Sequence, residues 1–275
     1  MTLQIASINS GSNGNCYYVA NENEAVLIDV GISCRQIEKR MERIGLSMTK
    51  VKAVFISHEH IDHIRGIEGL VNKYPVPVYV TEATRRHGKM LFNTANAIHF
   101  HANVPIAVGD LTVTPFSKFH DAVDPHSFAV EGNGVKVSVI TDVGSCCANV
   151  VRHFKTSHAA FLETNYDTRM LNEGRYPQML KDRIRGGHGH ISNEEALDLF
   201  LSHKPEYMSH LLLSHLSRDN NSPQLAYDLF AKHAGKTNVI VASRDKESFV
   251  YHVKTTADSS PDNVVVNYEN SLINN

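Results

Sequence analysis

A chain of 275 residues, 42% of them hydrophobic, is long enough to bury a large core; one domain over residues 1–254 is expected, with a loosely held polar tail over 255–275. The 27 basic and 29 acidic residues leave a formal net charge of −2, which excludes a global positive field that draws in nucleic acid, so any contact with phosphates must come from a local patch. No basic and apolar leader segment and no run near the roughly 20 apolar residues of a membrane span are present, so a soluble, cytoplasmic protein without membrane contact is expected.

In chain order, β-branched and aromatic runs predict strands at Leu3–Ile8, Cys16–Ala20, Ala25–Val30, Val51–Ile56 and Val76–Val80. Further strands are expected at Leu111–Pro115, Phe128–Glu131, Lys136–Thr141, Ala159–Glu163, Leu211–Ser214, Val239–Ser243 and Ser248–Val253. Helical spacing predicts helices over Ser33–Ile44, Ile64–Tyr74, Ala148–Lys155, Pro177–Ile184, Asn193–Ser202 and Pro223–His233. Glu131-Gly132-Asn133-Gly134-Val135 reads as a hairpin turn. Strands with interspersed helices suit two packed sheets with helices outside, an α/β architecture. Cys16, Cys34, Cys146 and Cys147 have neither the density nor the spacing of a disulfide framework and are expected as free thiols.

The segment Ser57-His58-Glu59-His60-Ile61-Asp62-His63 carries the chemistry. It leaves the end of the strand Val51–Ile56, and residues two apart on extended chain point the same way, so His58 and His60 can face one ion. Asp62 stands where the following helix would have its N-cap, and the turn lets Asp62 and His63 swing to a second ion. Imidazole and carboxylate donors suit Zn, Mn or Fe. Elsewhere, Asp29 and Asp142 end apolar runs, as does His215, and a plain turn aspartate is a competing reading for the first two. Most of the 17 histidines, among them His87, His99, His101, His153, His158 and His233, read as surface or packing residues.

His58, His60, Asp62 and His63 form an unbroken His-x-His-x-Asp-His motif that resembles the metallo-β-lactamase superfamily. Leu27-Ile28-Asp29-Val30-Gly31, the lone histidine in Ser117-Lys118-Phe119-His120-Asp121-Ala122, Ile140-Thr141-Asp142-Val143-Gly144 and Leu212-Leu213-Ser214-His215-Leu216-Ser217 resemble it in the same chain order. The resemblance implies a four-layer αββα sandwich holding two divalent metal ions (Zn, Mn or Fe). His120 would complete the first ion with His58 and His60, in preference to its neighbour His126. Asp142 would bridge both ions, and His215 would serve the second with Asp62 and His63. Asp29 would sit beneath, fixing a ligand's orientation through a hydrogen bond.

Substrate class rests on Gly187-His188-Gly189-His190-Ile191-Ser192-Asn193, a glycine-rich turn that carries histidine into a helix start. It is similar to a turn that assists phosphodiester cleavage in nuclease branches of the superfamily. Together with Ser10-Gly11-Ser12-Asn13-Gly14-Asn15, Tyr176-Pro177 and His215-Leu216-Ser217-Arg218-Asp219, it resembles the YycJ/WalJ-like group. That implies a DNA exonuclease cutting from the 5′ end, with DNA as the partner and no obligate protein partner deducible. Two ions would activate a hydroxide steered by Asp62, His190 would act as general acid, and Ser12, Asn13 and Asn15 would offer donors to a phosphate. Glu163-Thr164-Asn165-Tyr166 departs from the group, whose members often carry histidine where Tyr166 stands. Competing expectations are a hydrolase of small phosphodiesters or thioesters and a metal-binding regulatory protein without catalysis.

Overall fold

The structure is a computed structural model that describes residues 2–91 and 96–255. The tail expected over 255–275 lies outside the described residues, apart from Thr255.

Fourteen strands among the described residues form two seven-stranded sheets. The first holds β1 (Thr2–Asn9), β2 (Cys16–Ala20), β3 (Ala25–Ile28), β4 (Val51–Phe55), β5 (Val78–Tyr79) and β6 (Ala97–Ile98) in sequence order, with β14 (Tyr251–Lys254) added beside β1. The second holds β7 (Ile106–Val108), β8 (Leu111–Ser117), β9 (His126–Gly132), β10 (Val135–Ile140), β11 (Ala159–Glu163), β12 (His210–Ser214) and β13 (Asn238–Val241), likewise in order.

Strand periodicity sorts the core into three layers of apolar contact. On β2, Tyr17 and Val19 face the space between the sheets, while Cys16, Tyr18 and Ala20 face outward. On β11, Ala159 and Phe161 face inward, and Ala160 and Leu162 outward. Both faces are buried, which is why these strands read as continuous apolar runs rather than alternating ones. Helices α1 (Cys34–Arg43) and α3 (Ile67–Lys73) cover the first sheet through Ile37, Met41, Leu70 and Val71. The second sheet is covered by α5 (Ala148–Phe154), α8 (Asn193–His203) and α9 (Pro223–Ala231) through Phe154, Phe200 and Phe230. Each such side chain contributes about 1.5–3 kcal/mol by leaving water. The result is a four-layer αββα sandwich.

The parallel strands place the site. β3 and β4 run parallel, as do β10, β11 and β12, and β8 is related to β10 through two antiparallel pairings. The carboxyl ends of β3, β4, β8, β10, β11 and β12 carry Asp29, His58, His120, Asp142, Glu163 and His215 respectively. Ligands gather at the carboxyl ends of parallel strands because there the chain leaves the sheet and turns side chains into the crevice.

Several boundaries differ from expectation. The strand predicted over Ala25–Val30 stops at Ile28, because Asp29 turns into the left-handed region with φ 62°. Val76–Val80 shrinks to Val78–Tyr79, since Pro77 has no N–H to donate to a ladder. Ser248–Val253 shifts to Tyr251–Lys254. The helix after the histidine motif divides into α2 (Ile61–Ile64) and α3, and His60, not Asp62, occupies the N-cap; Asp62 lies in the first turn. Short elements without a periodic signature escaped prediction: β6, β7, α4 (Glu82–His87) and α6 (Thr168–Glu173). The hairpin turn falls at Asn133-Gly134, with φ 55° and 75°, as a primed two-residue turn requires. The four cysteines are free thiols, and no helix among the described residues is long and apolar enough to cross a membrane.

Candidate metal centre

His58 leaves β4 and His60 follows two residues later, so their rings converge: His58 Nε2 lies 3.1 Å from His60 Nδ1. His120, at the end of β8, brings Nε2 to 3.4 Å from the same His60 atom. Its Nδ1 donates to the Gly189 carbonyl at 2.9 Å, which turns Nε2 toward the other two rings. These three histidines offer ligand atoms within 4.8 Å of one another. Burial pushes His120 down to about 4 and His58 well below its ordinary range, assisted at His58 by the neighbouring His63 and at both by the buried Lys118. Lys118 itself donates to the Thr141 carbonyl at 2.6 Å. The rings of His58 and His120 are therefore neutral, with lone pairs available.

A second group lies across Asp142. Asp62, His63 and His215 also offer atoms within 4.8 Å of one another, and so do His58, His63 and Asp142. His63 Nε2 lies 3.2 Å from Asp142 Oδ2 and 3.5 Å from Asp62 Oδ2. His215 Nε2 lies 3.7 Å from Asp62 Oδ2. Burial would strip the protons from His63 and His215, but the surrounding carboxylates outweigh it: Asp142, Asp29 and Asp62 raise His63 well above its ordinary range, and Asp142, Asp62 and Glu163 raise His215 to about 10.

Asp29 supports this group from below. It accepts from the Ser57 backbone N–H at 2.8 Å, from Ser57 Oγ at 2.7 Å and from His63 Nδ1 at 2.7 Å, leaving His63 Nε2 to face Asp62 and Asp142. Asp29, Asp142 and His215 all adopt left-handed backbone, with φ of 62°, 53° and 57°. Aspartate and histidine tolerate that region better than most residues, and its strain is sustained where the surroundings hold it. Gly31 is fixed by close approach: a Cβ there would stand 1.7 Å from the Asp62 carbonyl oxygen, so only glycine lets the Asp62 turn sit against β3.

The donor set fits divalent metal ions. Imidazole and carboxylate are ligands of divalent transition metals, and Asp142 reaches both groups. Two atoms in the centre, Asp142 Oδ2 and His215 Nε2, are buried without a hydrogen-bond partner, a costly condition that an ion would relieve.

Glu163, which sequence reasoning passed over, ties the centre to His190. It ends β11 fully buried, accepts from the Val143 N–H at 2.5 Å, and lies 2.9 Å from His215 Nδ1 and 2.8 Å from His190 Nδ1. Burial raises its carboxyl, but the two imidazoles outweigh that and hold it at about 2. Asp142, Glu163, His190 and His215 also lie close enough for a metal group, but the Nδ1 atoms of both rings already face Glu163 at hydrogen-bond distance, which makes a hydrogen-bonded relay. His190 keeps 21% of its side chain exposed. Its turn is anchored through its N–H to the Ile184 carbonyl of α7 (Gln178–Arg185) and packs on Gly144, where a Cβ would meet Gly187 O at 2.4 Å. An acidic residue closing an apolar strand, as in Ala-Ala-Phe-Leu-Glu, was the available signal for Glu163; the same pattern at Asp142 had been read.

The phosphate-loop residues divide. Ser12 is exposed and lines a cavity of about 190 Å³ beside His190. Asn13 spends its amide on the Arg244 carbonyl. Asn15 is wholly buried: its Oδ1 accepts from the Gly11 N–H and Tyr17 O–H, and its amide stands 3.2 Å from Asp62 Oδ2. It braces Asp62 and presents no free donor to a phosphate, contrary to expectation, because the loop turns its side chain inward. His126 begins β9, near Asp124 O and Ser117 Oγ and outside the ligand groups. Tyr166 is buried, and its carbonyl accepts from the Asn193 N–H where it pairs beside Ser192, so the strand from Glu163 is pinned to the start of α8.

Residues 24–215 match the family described as the β-lactamase superfamily domain. The chain is 34% identical over 229 residues to exodeoxyribonuclease YycJ of Bacillus anthracis, covering 82% of this chain and 87% of that one. It is 29% identical over 223 residues to exodeoxyribonuclease WalJ of Streptococcus pneumoniae, covering 79% and 83%. Among solved structures, the metallo-β-lactamase-fold protein YhfI of Bacillus subtilis shares the fold with a TM-score of 0.69 at 18% identity, over 92% of this chain and all of that one. The chain belongs to the β-lactamase superfamily, in the family of its YycJ relative.

Proposed function

We propose that this protein is a cytoplasmic exonuclease that hydrolyses DNA phosphodiesters from the 5′ end with two divalent ions. The observation that carries the reading is the relay from His215 through Glu163 to the partly exposed His190, since ion binding alone does not require His190. The similarity to YycJ and WalJ, both named as exodeoxyribonucleases, supports DNA as substrate.

His58, His60 and His120 would hold one ion, Asp62, His63 and His215 the other, with Asp142 shared. When bound, such a pair would supply positive charge to a phosphate and lower the pKa of a nearby water. The chain's own residues do the rest. Asp62, braced by Asn15, orients the attacking water. Glu163 fixes the ring of His190 through Nδ1, so Nε2 is the atom that delivers a proton to the departing sugar oxygen, and the buried carboxylate stabilises the imidazolium that carries this proton. Asp29 and Gly189 O lock the tautomers of His63 and His120.

Digestion of single- and double-stranded DNA carrying 5′ or 3′ labels, with Zn, Mn or Fe supplied, tests the reading. Release of labelled mononucleotide from the 5′ end at the earliest times is expected. Absence of turnover with every ion refutes it.

A further inference from the structure

We infer that the cavity beside His190 is the seat of the departing 5′-terminal nucleoside, with the Tyr176 ring as the stacking face for its base; this rests on the exonuclease reading above. The cavity measures about 190 Å³ and is lined by residues from five separate stretches, among them Ser12, Asn165, Tyr176, Leu180, His190 and Ser217. At about 30 Å³ per water it holds some six waters' worth of space, room for one base with its sugar at the mouth and none for a second base.

Position supplies the identity of the occupant. His190 both lines the cavity and stands at the end of the Glu163 relay, so the oxygen it protonates belongs to whatever sits there. In hydrolysis, the water oxygen bonds phosphorus, the P–O3′ bond breaks and O3′ takes the proton from His190. The fragment carrying O3′ is the terminal nucleoside, and the remaining strand keeps a 5′-phosphate. A small cavity on the O3′ side therefore restricts cleavage to the first nucleotide and sets the polarity.

Chemistry supplies the mode of recognition. Leu180 and Ile184 of α7 give one apolar stretch of wall, and the Tyr176 ring precedes that helix. The Tyr176 hydroxyl donates to Asp219 Oδ2 at 2.9 Å, which holds the half-buried ring in place. An aromatic ring accepts any base by its face, so the seat tolerates sequence. Polar donors come from Ser12, Ser217 and Asn165, and Arg183, paired with Asp121 at 2.5 Å, stands on the rim where a 5′-phosphate would compete for it.

The test compares wild type, Tyr176→Ala and Tyr176→Phe on a 5′-phosphorylated oligonucleotide with either a normal or an abasic first residue, together with calorimetric binding of thymidine 5′-monophosphate. Wild type and Tyr176→Phe should favour the normal end through KM by about tenfold to a hundredfold. Tyr176→Ala should lose that preference and bind the monophosphate at least tenfold more weakly, while still degrading the normal strand. Equal handling of normal and abasic ends by wild type, unchanged monophosphate binding in Tyr176→Ala, or degradation from the 3′ end overturns the assignment while DNA hydrolysis itself stands. Failure of wild type to hydrolyse any DNA overturns the parent reading instead.

Discussion

The two halves of the centre share Asp142 and differ in almost everything else. His58, His60 and His120 form a half flanked by Asp121, which lies 3.3 Å from His120 Nε2 and pairs with Arg183; there burial and Lys118 hold His58 and His120 neutral. Asp62, His63 and His215 sit among carboxylates, with Asp29 below and Glu163 alongside, and these hold protons on His63 and His215. In one half His58 and His120 hold lone pairs ready for an ion; the other must give up protons to receive one. The comparison assigns work as well: the second half connects through Glu163 to His190, and the first connects through the Gly189 carbonyl to the same turn. Both halves thus bear on the position of one histidine.

Asp142→Ala removes the residue common to both halves and has the largest expected effect. A rate loss of about 10⁴-fold or more is expected, as when one member of a catalytic unit is deleted, measured by initial rates of DNA digestion. His190→Ala leaves both halves whole and should lower the rate by about 10²- to 10⁴-fold, the range for a general acid. Glu163→Gln should fall in the same direction, since it loosens His190 and also touches His215. Asp29→Asn acts on one half only: about 10- to 100-fold weaker binding of one ion, with the other unchanged, should be seen by calorimetric titration.

The smallest effect is in pH. His215 is raised to about 10 and so carries its proton below that value, whereas His120 lies near 4 and stays neutral above it. Binding in the acidic half therefore displaces protons, and its affinity should fall by about tenfold per displaced proton for each pH unit lowered, while the half that holds the neutral His58 and His120 should weaken less steeply. Parallel weakening of both ions as pH falls would contradict the difference between the halves.

Much of this was legible in the sequence, for reasons that particular residues show. Strands buried on both faces, such as Ala159–Glu163, betray themselves as apolar runs, and six residues supply four metal-ligating side chains between His58 and His63. The candidate ligands Asp142 and His215 were visible because each follows such a run, and His120 through the family resemblance of its context over residues 117–122. Glu163 was not read, since an acid at the end of a strand looks like a solvated terminus until the fold buries it beside two histidines. Asn15 was misread for the complementary reason: a glycine-bearing loop shows which donors are present, but the hydrogen bonds to Gly11 and Tyr17 that turn this side chain inward depend on the fold. Elements of two or three residues, such as Ala97–Ile98, are too short to carry a period.

The central claim is that Asp142 joins two ion-binding halves and that His190 stands outside both. Counting the ions bound per chain at neutral pH, in wild type, Asp142→Ala and His190→Ala, tests it most directly. The account predicts two ions in wild type, two in His190→Ala and a loss from both halves in Asp142→Ala. Full retention by Asp142→Ala, or loss of an ion in His190→Ala, would contradict it.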